Sequence, residues 1–221
     1  MSGEHDFRVA RARMVNEQLR GAGLAEPRVL AAMRDVPRHL FVPRLIRHRA
    51  YQACALPIGY GQTISQPFTV GLMTALLELT GAETVLEVGT GSGYQAAILS
   101  RLAGTIVSVE RIEPLARRAE SVLRTLDCAN VAVQTVDGCE PPEALGTFDG
   151  IVVTACADSF PDVLYRRLRE GGRLVIPLLG QDGGQTLYRF QRRTGRPAIE
   201  RSVPCRFVPL LRGLAMALPE R

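Results

Sequence analysis

Between Thr84 and Leu102 the chain passes from an apolar run, through three closely spaced glycines, into a second apolar run, and no other stretch limits its fold as tightly. Thr84–Val88 reads as a buried strand and Tyr94–Leu102 as a helix. The turn between them, Gly89-Thr90-Gly91-Ser92-Gly93, is short and rich in residues that tolerate unusual backbone angles. The same alternation continues downstream. Thr105–Glu110 predicts a strand, Glu113–Leu126 a helix, Val131–Val136 a strand and Phe148–Thr154 a strand. Pro161–Arg169 predicts a helix and Arg173–Pro177 a strand, and Gln185–Gln191 with Ile199–Phe207 an antiparallel pair. Strands alternating with helices predict a doubly wound α/β domain. Its Rossmann-like sheet would be mostly parallel, with an antiparallel strand pair at the C-terminal end.

The region before this unit has another texture. Phe7–Leu19 has helical spacing, Pro27 suits a first helical position, and Phe68–Leu79 predicts another helix. Pro37, Pro43 and Pro57 break the chain between them, and Gly59–Pro67 reads as a polar loop. Residues 1–80 are therefore expected to form a helical N-terminal extension that carries a substrate loop, and residues 81–221 the ligand-binding core.

Composition narrows the function classes. At 46% hydrophobic residues the chain can bury a core, yet it has no apolar run of the roughly 18 to 20 residues a bilayer span requires. Met1 to Arg20 is charged throughout with no apolar h-region, so a cytoplasmic protein with no membrane partner is expected. A monomer is expected sooner than an oligomer. The net charge is +5 and all 27 basic residues are arginine, but they are scattered, so no nucleic-acid partner is expected. Five cysteines without a C-x-x-C pair predict free thiols and no metal site. His5, His39 and His48 lie outside the motifs and read as surface or structural residues.

The glycine turn departs from a dinucleotide fingerprint, because its sixth position is Tyr94 and not glycine. Glu87, two residues before the first glycine, would repel a pyrophosphate and favour a cation. Glu110 closes the second strand, where a carboxylate can accept from ribose hydroxyls. Asp137 closes the third, beside Gly138, where it could meet an adenine amino group. Three acids at three consecutive strand ends point to one cationic nucleoside, S-adenosylmethionine. Taken singly, each acid could equally cap a following helix. On chemistry alone Thr63 and Ser65 are equally substrate-facing hydroxyls or loop and N-cap residues.

The segment Leu56-Pro57-Ile58-Gly59-x-Gly61-Gln62-Thr63-Ile64-Ser65-Gln66-Pro67 resembles the signature of the protein-L-isoaspartate O-methyltransferase family. Ser108-Val109-Glu110-Arg111, Phe148–Ala155 and Arg206-Phe207-Val208-Pro209-Leu210 are similar to further motifs of that family. The resemblance runs from about Met14 to Gly213. It implies a methyltransferase that transfers a methyl group from S-adenosylmethionine to the α-carboxylate of L-isoaspartyl residues in damaged proteins or peptides, opening repair through a succinimide. It implies Ser65 as the active-site hydroxyl. Gln62, Thr63, Ile64 and Ser65 would stand near the cofactor, with Glu87, Gly89, Thr90, Gly91, Ser92, Gly93, Glu110, Arg111, Asp137 and Gly138. Ile58, Gly59, Val208, Pro209 and Leu210 would face the peptide. Ala53, Val136 in Val136-Asp137-Gly138, Cys156–Ser159 and the stretch Leu179–Gln185 differ from the family's pattern. The alternative they raise is a divergent carboxyl O-methyltransferase acting on another peptide aspartate or a small molecule.

Overall fold

The computed structural model describes residues 2–194 and 198–215. Residues 195–197 and 216–221 of the expected core segment, and the His5 side chain, lie outside the described residues.

Helix α1 (Ser2–Arg13) continues as a π-helical stretch over Met14–Arg20. Helix α2 (Pro27–Asp35) starts on Pro27, and the Glu26 side chain accepts from the Arg28 N–H. Two 3-10 turns, Arg38–Phe41 and Arg44–Arg49, follow. The polar loop expected at Gly59–Pro67 is in fact half of a hairpin, β1 (Leu56–Gly59) with β2 (Gln62–Ile64). Tyr60 and Gly61 both take positive φ, as a tight two-residue hairpin turn requires. Tyrosine in the first of those positions hid the signal. Helix α3 (Pro67–Leu76) follows.

The core then runs β3 (Thr84–Val88), α4 (Tyr94–Leu99), β4 (Thr105–Glu110), α5 (Glu113–Thr125), β5 (Val131–Thr135) and β6 (Phe148–Val153). It ends with α6 (Asp162–Arg166), β7 (Leu168–Leu179), β8 (Gln185–Gln191) and β9 (Ala198–Cys205). The seven-stranded sheet has the order β5-β4-β3-β6-β7-β8-β9. Pairing is parallel from β5 through β7 and antiparallel for β7–β8 and β8–β9. The predicted helix Pro161–Arg169 is shorter than expected, because β7 already starts at Leu168 and pairs with Phe148.

Strand β3 is buried on both faces from Val85 to Val88, as suits a central strand of a covered parallel sheet. Helix α5 buries Leu115, Ala116, Ala119 and Leu123 along one stripe. One apolar cluster joins Met14, Leu19 and Met33 of the extension to Tyr94, Ile98 and Leu115 of the core. His39 is buried, shares a 2.8 Å hydrogen bond with the Tyr51 hydroxyl and stacks on Phe7 at 4.1 Å. It is structural, and His48 is exposed. All five cysteines are free thiols. Among the described residues no helix is long and apolar enough to cross a membrane.

The order of strands reverses direction between β3 and β6, so a crevice opens at their carboxyl ends. Gly93 sets the entry of α4 into that crevice. Its φ is +86°, and a Cβ there would stand 3.0 Å from the Ala119 Cβ on α5. Gly93→Ala is expected to cost about 1–3 kcal/mol through backbone strain and overpacking. A urea midpoint that drops with an unchanged slope would bear this out, and an unchanged midpoint would refute it.

Candidate functional site

The crevice holds a cavity of about 920 Å³, counting its mouth. That is within the rough range of small-molecule sites, 300–1,000 Å³. Its walls come from the glycine turn, the ends of β3, β4 and β6, the second hairpin strand, and the segment Val208–Leu211.

Glu87 lies at its floor and is fully buried. Its Oε2 accepts from the Ser108 hydroxyl at 2.5 Å, and Ser108 meets the Thr90 hydroxyl at 2.6 Å. Oε1 has no hydrogen-bond partner among the described residues. Burial pushes the Glu87 carboxyl up to about 8; the nearby Glu110 charge adds to the rise and the Ser108 bond opposes it. A buried carboxyl with an open oxygen is poised for a cation.

Glu110 is organised differently. Its Oε2 accepts from the Gly91 N–H at 2.8 Å and its Oε1 from the Ile112 N–H at 3.0 Å. It thus stitches the glycine turn to β4 while lining the cavity. Helix α5 takes Ile112 as its N-cap with no side-chain cap bond. The glycines serve distinct ends. A Cβ on Gly89 would lie 2.4 Å from the Thr154 Oγ1, and Gly91 has φ +52°. Thr154 donates to the Gly89 carbonyl at 2.6 Å, so β6 holds the turn from the far side.

Most of the expected residues meet at this cavity. Gln62, Thr63, Ile64 and Ser65 line it, as do Gly89, Thr90, Gly91, Ser92, Glu110, Arg111 and Gly138. Val208, Pro209 and Leu210 line the opposite side. Four expected residues do not line it. Gly93 packs against α5 instead. Asp137 turns both oxygens to backbone, accepting from Cys139 N–H at 2.8 Å and Gly213 N–H at 2.7 Å. Ile58 is wholly buried beneath Gly91, because β1 alternates buried and exposed residues. Gly59 is exposed in the hairpin turn.

Asp137 and Arg111 share another task. Arg111 Nε donates to the Gly213 carbonyl at 2.8 Å, and the Ala215 N–H donates to the Arg111 carbonyl at 3.0 Å. Together they tie the C-terminal segment across the strand ends, which puts Leu211 into the cavity wall.

Ser65 is half-buried, and its hydroxyl has no hydrogen bond to a described residue. It does not cap α3, whose N-cap is Gln66 with no side-chain bond. The Ser65 carbonyl accepts from Arg38 Nη2 at 2.7 Å. Sequence reasoning missed Arg38. This guanidinium is fully buried, also donates to the Ala50 carbonyl at 2.7 Å and lies 4.9 Å over the Tyr94 ring. Burial lowers its pKa from the ordinary arginine value. One side chain thus ties the extension, the Ser65 segment and the first residue of α4 together. The Pro37-Arg38 step held no motif that would have singled it out. Thr154, Gln95 and Leu211 were also missed as wall residues; each reaches the cavity through tertiary packing.

Several known proteins are similar to the chain. The family model for protein-L-isoaspartate(D-aspartate) O-methyltransferase matches residues 10–215. A protein-L-isoaspartate O-methyltransferase of Trichlorobacter lovleyi is 49% identical over 207 residues, covering 93% of this chain and 95% of that one. Another, of Geobacter metallireducens, is 48% identical over 207 residues, covering 93% and 95%. A solved protein-L-isoaspartate O-methyltransferase structure superposes with a TM-score of 0.80 at 26% identity, covering 90% of this chain and 65% of that longer chain. A Plasmodium falciparum chain described as a protein-L-isoaspartate O-methyltransferase, in complex with S-adenosyl-L-homocysteine, shares the fold at a TM-score of 0.80 and 24% identity, covering 91% and 98%.

Glu87 gives the ligand-free protein a pH signature. The native carboxyl keeps its proton up to about 8, whereas an ordinary glutamate loses it near 4.5. In that window the native state binds more protons than the unfolded one, so this group's contribution to stability falls as pH rises. Thermal melts of the ligand-free protein are expected to drop from about pH 5 to about pH 8, and Glu87→Gln to flatten that drop. Identical pH slopes for both proteins would refute the assignment.

Proposed function

The chain belongs to the protein-L-isoaspartate(D-aspartate) O-methyltransferase family, and from that premise we propose how its residues carry out the reaction. The enzyme uses S-adenosylmethionine and methylates the α-carboxylate of L-isoaspartyl residues in proteins and peptides, the first step of their repair. Nothing among the relatives favours a different acceptor.

One observation carries the assignment of roles. The segment Gln62–Ser65, strand β2 and the residue after it, forms a wall of the same cavity whose floor is Glu87 and the glycine turn. The residues fit the cofactor: Glu87 has an open oxygen in a buried setting, and Gly89 and Gly91 leave room for a close backbone approach. Bound there, S-adenosylmethionine would supply the activated methyl group that a carboxylate oxygen takes, with the carbon–sulfur bonding pair remaining on sulfur. Glu87 would face its positive charge, and Glu110, Gly89–Ser92 and Gly138 would hold its nucleoside part.

The substrate carboxylate is already ionised near neutral pH, so the protein has no proton to remove. Its task is alignment, which is worth several kcal/mol when the reacting atoms are held in line. Ser65 is suited to this. Its hydroxyl is free to donate to one carboxylate oxygen, and Arg38 holds its backbone in place. Val208–Leu210 would run alongside the peptide. The Gly93, Asp137, Ile58 and Gly59 contributions are indirect: they shape the turn, the C-terminal tie and the hairpin. The 1–80 extension then acts as the substrate side and the remainder as the cofactor side. The same proposal has the enzyme working as a cytoplasmic monomer, with dispersed arginines that favour peptides over nucleic acid.

The test pairs an isoaspartyl peptide with its aspartyl twin and a labelled cofactor. Labelling is expected for the isoaspartyl form, and equal labelling of both would overturn the assignment. Ser65→Ala should lower kcat by about tenfold or more with little change in S-adenosylhomocysteine affinity. Glu110→Ala should do the reverse and weaken that affinity by about tenfold or more, read by calorimetry. An unchanged rate in the first variant would remove Ser65 from the mechanism.

A further inference from the structure

A second cavity of about 630 Å³, counting its mouth, adjoins the first. The two share a wall made by Thr63, Ser65, Thr154 and Val208. Their charges differ in sign. The cofactor side is lined by Glu87 and Glu110, and its one cation, Arg111, is spent on the Gly213 and Arg212 carbonyls. Among the described residues the second cavity has no acid in its lining and one cation, Arg206. Arg206 forms no hydrogen bond or ion pair with any described residue. Elsewhere in the chain many arginines are engaged, as Arg28, Arg38, Arg167, Arg189 and Arg192 are.

The backbone that carries Arg206 is held firmly. The Gln185 side chain accepts from the Phe207 N–H at 2.6 Å and donates to the Phe207 carbonyl at 3.1 Å. Cys156 takes the next grip: its N–H donates to the Val208 carbonyl at 2.8 Å, and its carbonyl accepts from the Leu210 N–H at 2.7 Å. Arg206 is exposed, and it lines the same second cavity as Ser65. An uncommitted guanidinium on a pinned backbone is suited to bind an anion there.

We propose that Arg206 is the specificity-determining residue for the substrate's charge, binding the isoaspartyl α-carboxylate through the oxygen that does not attack. This rests on the reading of the enzyme as an isoaspartyl methyltransferase. The carboxylate is anionic before transfer and a neutral ester after it. Arg206 therefore favours substrate over product and helps the ester leave. An amide or an ester in the same position lacks the charge and is bound weakly. The Ser65 hydroxyl and Arg206 divide the work: the first orients the carboxylate and the second selects it. Two stretches that differ from the family's pattern, around Cys156 and before Gln185, are the ones that pin this segment.

The experiment uses N-acetylated, C-amidated isoaspartyl peptides with neutral neighbours, so that the reacting group is the only carboxylate. Arg206→Gln is expected to raise KM about tenfold or more, with kcat within about twofold and S-adenosylhomocysteine affinity unchanged. Arg206→Lys should recover part of the loss. Raising salt from about 50 to 500 mM should increase the wild-type KM and leave the Gln variant nearly flat. An unchanged KM would overturn the proposal. So would a KM that rises together with the loss of cofactor-product affinity, which marks a structural effect. A second peptide set with acidic neighbours completes the test: an effect of Arg206→Gln confined to that set would assign Arg206 to a flanking side chain instead, and so also overturn the proposal. If the wild-type enzyme fails to prefer the isoaspartyl peptide, the underlying reading fails; if it prefers it and Arg206→Gln behaves alike, only the role of Arg206 fails.

Discussion

Glu87 is a carboxyl buried at the carboxyl end of the central strand, and the rest of the site is arranged around the difficulty of keeping it there. Removing a carboxylate from water is costly unless it is paired or protonated. The protein answers in part with Ser108 and Thr90, whose hydroxyls form a short chain to one oxygen. It leaves the other oxygen open. Ligand-free, burial keeps the proton on; a cationic ligand would complete the pair and make the ionised form acceptable. The glycine turn, Glu110 and Thr154 then fix the backbone above it, each through a bond to the turn or the strand beside it.

The substrate side depends on a second buried charge. Among the described residues Arg38 has no carboxylate as a hydrogen-bond acceptor; its acceptors are the backbone carbonyls of Ala50 and Ser65. Such an arrangement favours one relative placement of three segments, because any other would cost the buried guanidinium its two carbonyl partners, and its Nη1 already has no hydrogen-bond partner among the described residues. Tyr94, which distinguishes the glycine turn from a dinucleotide fingerprint, supplies the ring beneath it. The residue that excluded one cofactor class thus also joins the cofactor turn to the Ser65 segment. On the far wall the peptide-facing segment is gripped by Gln185 and Cys156, so both sides of the reaction space are held by side chains from distant parts of the chain.

Much of the sheet was legible. The strand limits Thr84–Val88 and Thr105–Glu110 agree with the expectation, since central strands are apolar runs bounded by turn residues and acids. The hairpin at Leu56–Ile64 was not, because its turn places a tyrosine at positive φ where sequence rules look for asparagine or glycine. Asp137 shows the limit of reasoning from strand ends. Its position matched Glu87 and Glu110, and like those of Glu110 its oxygens accept from backbone N–H groups, here of Cys139 and Gly213, yet unlike Glu110 it does not line the cavity. Gly213 lies far along the chain, and no local pattern announces where it returns.

By itself the sequence determined the alternating architecture, the glycine turn, the preference for a cationic nucleoside and the resemblance that names the acceptor. These are local properties: period, turn chemistry and residue type at a strand end. The tertiary structure decided which groups are free and which are spent. It left one Glu87 oxygen and the Ser65 hydroxyl without hydrogen-bond partners among the described residues, and Arg206 with neither a hydrogen bond nor an ion pair there, while it committed Asp137, Arg111 and Arg38 to backbone. The physical reason is that hydrogen-bond satisfaction depends on what arrives from elsewhere in the chain. Two acids in the same local pattern can therefore end with opposite fates.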